Sequence, residues 1–111
     1  MKRIMIQKEL RIAQRTLDVW GREAQVKKAT EECVELASAL LHDTGSDLAM
    51  RDKVIHEMVD VGIMLDQLAL IYIVDPRELA IKRAMVFDRL ERLLDLGVHL
   101  DKGDDVGGTI E

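Results

Sequence analysis

The sequence predicts an all-α fold, on three observations. Aromatic residues are only 3% of the chain and there is one proline, so strand-favouring chemistry is scarce. Leu, Ala, Glu, Lys, Arg and Met, the better helix formers, dominate the rest. Apolar residues recur at helical spacing in stretches separated by turn signals. At 111 residues, one domain with a modest core is expected. Four helices packed in a bundle-like arrangement account for residues 1–97. Residues 98–111 read as a mobile acidic and glycine-rich tail.

Ile4, Leu10, Ile12 and Leu17 mark a first helix over roughly 3–19, broken at Gly21 after Trp20. A second runs from about Glu23 to His42. The string DTGSD at 43–47 is turn chemistry, with Ser46 or Asp47 able to cap the next helix. The third helix, about Asp47–Ile73, has a middle that is apolar on most sides and is expected to be the most buried element. Asp75, Pro76 and Glu78 form a helix start with a capping box. The fourth helix then continues to about Leu96 and stops at Gly97.

Charge and cysteine content narrow the setting. A net charge of −5 disfavours a nucleic-acid polymer as partner, since phosphate backbones call for a basic face. Cys33 is the only cysteine, so no disulfide forms within the chain and a reducing compartment suits it. It reads as a small core residue. No stretch has the length of a signal peptide or a membrane span, which points to the cytoplasm.

The stretch KATEECVELASALL (28–41) sets the chemical question. Glu31, Glu32 and Glu35 sit in an otherwise apolar helix, where an uncompensated carboxylate is costly. Residues three and four apart share a helix face, so Glu32 and Glu35 are neighbours. Glu57 and Asp60 repeat that spacing on the third helix. Each pair has a lysine one turn earlier, Lys28 and Lys53. Antiparallel packing of helices two and three would bring four carboxylates together. Oxygen ligands without His or Cys then suit a hard cation, Mg²⁺ or Mn²⁺. Gly62 suits a close approach of the two backbones. The plain alternative is a solvated acidic face with lysine pairs.

EECVE (31–35) followed after 21 residues by EMVD (57–60) resembles the EExxE…ExxD signature of the all-α nucleoside triphosphate pyrophosphatases, the MazG-like superfamily. WGREAQ (20–25) and KRAMVFDRLERL (82–93) are also similar, and the resemblance spans roughly residues 5–95. It implies a Mg²⁺-dependent helical enzyme, dimeric or tetrameric. Such an enzyme converts nucleoside triphosphates to monophosphates and pyrophosphate, often as housecleaning of the nucleotide pool. By position it implies Glu32, Glu35, Glu57 and Asp60 as metal ligands, with Glu31 matching the first glutamate of the doublet; Glu31 or Glu35 is then a candidate base toward a metal-held water. Lys82 and Arg89 match phosphate-contacting residues, although Asp88 replaces an asparagine often found there. Lys28 and Lys53 are further candidates for phosphate, or plain ion-pair partners. Trp20 could stack on a base or anchor packing, and Tyr72 and Phe87 read as core or interface residues. His42, His56 and His99 form no metal-ligand pattern. Two other readings are a non-catalytic helical module that binds nucleotides or a partner, and a metal-binding protein without hydrolysis. The surplus of apolar residues on helices three and four favours oligomerisation.

Overall fold

The chain's turn signals and helix starts are realised in a computed structural model that describes residues 6–45 and 47–97. Four helices occur in order: α1 (Gln7–Trp20), α2 (Arg22–His42), α3 (Leu48–Ile71) and α4 (Pro76–Asp95). No strand occurs among the described residues. Residues 3–5, Ser46, His99 and the tail from 98 onward lie outside the described part. No helix of the described chain is long and apolar enough to cross a membrane.

Local chemistry explains the boundaries. Gly21, at φ 87°, takes a backbone conformation that costs an L side chain, and it separates α1 from α2 without a longer loop. Asp47 caps α3 by accepting from the amides of Ala49 (2.9 Å) and Met50 (3.4 Å). Asp75 accepts from the Arg77 amide at 2.9 Å and pairs with its guanidinium at 3.2 Å, which holds its carboxyl below the usual range. The cap at Asp75 is therefore present, but Arg77, not Glu78, supplies its side-chain partner. α3 ends at Ile71 instead of Ile73, because Ile73 turns to φ 52°, a left-handed conformation incompatible with continuing the helix.

The chain divides into one compact unit ending at Ile73, with α1, α2 and α3, and a second beginning at Val74, with α4. In the first unit, α2 and α3 are joined by a short loop and pack along their length as an antiparallel hairpin. Its interior is unusual. Ala13, Ala29, Ala39 and Met64 are the buried apolar residues, and Gln25, Glu32, Glu57 and Gln67 are equally buried.

Burial follows expectation in part. α3 has the smallest share of exposed residues of the four helices, but Ile55, Met58, Val59, Ile63 and Leu65 are exposed on it, and Glu57, Met64 and Gln67 are its fully buried residues. Its apolar surface runs around most of the helix, and the hairpin covers one stripe. Cys33 is exposed, not core. The buried positions of α2 are Gln25, Ala29, Glu32 and Ala39, a single face, and the residue after Glu32 is turned about 100° away from it. Tyr72 and Phe87, read as core or interface residues, are exposed in the single chain and so are not core; each has an arginine over its ring, Arg22 and Arg83 at 5.1 and 5.0 Å.

Gly62 also departs from expectation, since a Cβ built there meets nothing within 4 Å. No close backbone approach requires a glycine. Gly62→Ala should therefore raise stability by about 0.8–1 kcal/mol through helix propensity alone, read as a higher melting temperature by circular dichroism. An unchanged or lower melting point would mean that something packs against this position.

Candidate metal centre

The hairpin decides which acidic side chains meet. Glu32 is ten residues before the end of α2, and Glu57 nine residues after the start of α3, so the two lie level across it. Both turn inward and are about 5% exposed. Glu35, one turn along α2, sits at the solvent edge of the same spot. Carboxylate oxygens of Glu32, Glu35 and Glu57 all lie within 4.8 Å of one another. Glu31 is exposed, on the other side of α2 from the buried stripe.

Asp60 follows Glu57 by one turn and is half-buried, but its carboxylate does not complete the cluster. One of its oxygens sits 3.3 Å from His56 Nε2 instead. The two lysines go to the buried glutamates, Lys28 to Glu32 at 2.9 Å and Lys53 to Glu57 at 3.6 Å. Lys28 is within hydrogen-bond distance of one Glu32 oxygen, and Lys53 pairs with one Glu57 oxygen by charge alone. The other oxygens, Glu32 Oε2 and Glu57 Oε2, are buried without a hydrogen-bond partner.

The electrostatics result from this crowding. The neighbouring Glu32 and then Glu57 carboxylates, with partial burial, push the Glu35 carboxyl above its ordinary value. The Glu32 carboxylate, through hydrogen bond and charge, raises the Lys28 ammonium. Three carboxylates against two lysines leave an excess negative charge, and one oxygen each of Glu32 and Glu57 is buried without a hydrogen-bond partner. Oxygen-only donors and orphaned buried lone pairs fit a hard divalent cation, Mg²⁺ or Mn²⁺.

The remaining sequence candidates lie elsewhere. Trp20, at the end of α1, is 64% exposed. Lys82 is exposed and Arg89 half-exposed on α4, in the second unit, as is Asp88. The His56–Asp60 contact is not among the sequence expectations, although its i,i+4 spacing could have revealed it. Gln67 is also absent from them: buried and hydrogen-bonded to Thr16 across 51 residues, it has no local signature. No protein-family model matches the chain, nor does a curated protein or a solved structure.

Proposed function

We propose that this chain is a Mg²⁺-dependent nucleoside triphosphate pyrophosphohydrolase of the MazG-like kind, acting on the nucleotide pool in the cytoplasm. One observation carries the reading: two buried glutamate oxygens, one from each arm of the hairpin, lack any partner beside a third carboxylate. A buried acceptor without a partner is destabilising, and a cation among these carboxylates would supply one. The EExxE…ExxD resemblance adds the substrate class.

In this reading Glu32, Glu35 and Glu57 would hold the cation, with Asp60 available one turn along. Such a Mg²⁺ or Mn²⁺ would supply positive charge to offset the phosphates and would ease deprotonation of water. Glu35, whose proton affinity its neighbours raise, suits the role of base toward that water, with exposed Glu31 as the other candidate. The water oxygen bonds to the α-phosphorus, the α–β anhydride bond breaks, and pyrophosphate leaves. Lys28 and Lys53, paired with Glu32 and Glu57, are candidates for contacting incoming phosphates. Lys82, Arg89 and Trp20 enter only through the resemblance, as phosphate and base contacts.

A homodimer or homotetramer belongs to the same proposal. Exposed Met58, Val59 and Leu65 on α3, and Ile81, Met85 and Phe87 on α4, are more apolar surface than a small monomer normally leaves in water. Light scattering on the purified chain should give a mass of two or four chains, and a monomer would remove this part.

The lysine pairs favour a second reading, a non-catalytic ion-paired helical module. Incubation with a panel of ribo- and deoxyribonucleoside triphosphates, with and without Mg²⁺, separates the two. Pyrophosphate release that requires Mg²⁺ is expected. Orthophosphate release alone, or no turnover with any nucleotide, would contradict the proposal.

A further inference from the structure

A second site lies between α1 and α3, in a cavity of about 250 Å³. Ile12, Ala13 and Ile63 supply apolar walls, Thr16 and Gln67 a polar side, and the carboxylates of Glu9 and Asp66 complete the lining. Gln67 is 4% exposed, and its Oε1 has no hydrogen-bond partner.

The direction of the carboxamide is fixed by proton accounting. The Thr16 hydroxyl has one proton and donates it to the Ala13 carbonyl at 2.7 Å. Thr16 Oγ1 can then only accept, and it accepts from Gln67 Nε2. Exchanging the amide's two ends would set oxygen against oxygen. Gln67 therefore keeps Oε1 as an unmatched acceptor and retains one further N–H. A mostly apolar cavity with one oriented amide is the usual form of a small-molecule site. A planar ring suits such walls, and an N–H beside a ring acceptor answers an amide in the way glutamine reads base edges. The Glu9 and Asp66 carboxylates make the cavity unsuited to phosphate.

Position ties the cavity to the carboxylates. Glu57, Asp60 and Gln67 fall on one face of α3, at spacings of three and seven residues. Gln67 lies about 10 Å along the axis from Asp60 and about 15 Å from Glu57. We infer that the α1–α3 cavity binds a nitrogen heterocycle of the nucleobase class, with the Gln67 carboxamide, clamped by Thr16, reading its edge. That this ring belongs to the nucleotide whose phosphates meet the carboxylates rests on the function proposed above. The cavity itself requires neither metal nor phosphate.

The test uses the full chain in metal-free buffer and nucleosides without phosphate: cytidine, uridine and adenosine. In ¹H–¹⁵N spectra, at least one nucleoside should shift the Ala13, Thr16 and Ile63 amides saturably. Gln67→Met should weaken that nucleoside about tenfold, and Thr16→Val, which unclamps the amide, should weaken it too. Glu35→Gln should leave it unchanged. No saturable shift with any nucleoside, or unaltered affinity in both cavity variants, overturns the inference. Nucleoside binding without pyrophosphate release supports the cavity and removes the hydrolase. Pyrophosphate release without shifts at these residues does the reverse.

Discussion

Glu35→Gln should abolish Mg²⁺-dependent pyrophosphate release, with less than a few per cent of activity remaining. The substitution keeps the side chain's shape and its place on α2, so the hairpin should stay folded. It removes a charge at the point where three carboxylate oxygens come within 4.8 Å of one another. Loss of a residue that only supports a metal ligand typically costs about 10–100-fold. A residue that both binds the cation and accepts a proton from the attacking water should cost more. Glu57→Gln should be as severe, since it strips the buried ligand from the other arm. Asp60→Ala should also abolish turnover if Asp60 leaves His56 to join the ligands when the cation is present. Initial rates of pyrophosphate release, alongside circular dichroism, check all three. Substantial activity in Glu35→Gln with intact helices would remove it from the chemistry.

The second large effect is on stability. In the metal-free chain the cluster is self-repelling, so a cation that binds the folded state alone should stabilise it. A ligand at about a hundred times its dissociation constant adds roughly 2.7 kcal/mol, which for a domain near this size corresponds to a rise in melting temperature of roughly 10 °C. Chelation should reverse it. The pH dependence has a definite sign. Glu35 holds its proton more tightly in the folded chain than in the unfolded one, because Glu32 and Glu57 lie beside it. Metal-free stability should therefore fall as pH rises from the ordinary value of 4.5 through the raised one, and the loss should be complete above it. Glu35→Gln should escape that loss, melting higher than the natural chain in chelator at neutral pH and equally in acid. It should also respond less to Mg²⁺. Melts in chelator and in excess Mg²⁺ across this range test both halves. A natural chain indifferent to Mg²⁺ would contradict a cation at this site.

These expectations rest on the part of the structure that the sequence made legible. DTGSD and Asp75-Pro76 announce their turns because capping and proline act within a few residues. Glu32 and Glu35 meet Glu57 once a short loop makes α2 and α3 antiparallel. The features that stayed hidden depend on rotation and tertiary contact. Glu32 faces inward, so its neighbour Cys33 faces outward, and composition gives no hint of that choice. An α3 that is apolar nearly all round does not reveal which stripe the hairpin covers. Asp60 had two partners within reach, Glu57's neighbours and His56, and spacing alone could not choose between them. Gln67 and Thr16 meet across 51 residues, beyond any local pattern.

All of the proposed chemistry requires the two arms of the hairpin to share one divalent cation. Anomalous scattering from crystals grown with Mn²⁺ reads this out without any assay of turnover. A peak is expected within bonding distance of Glu32 Oε2, Glu57 Oε2 and a Glu35 oxygen. Mn²⁺-containing crystals with no peak among those three carboxylates would contradict a shared cation.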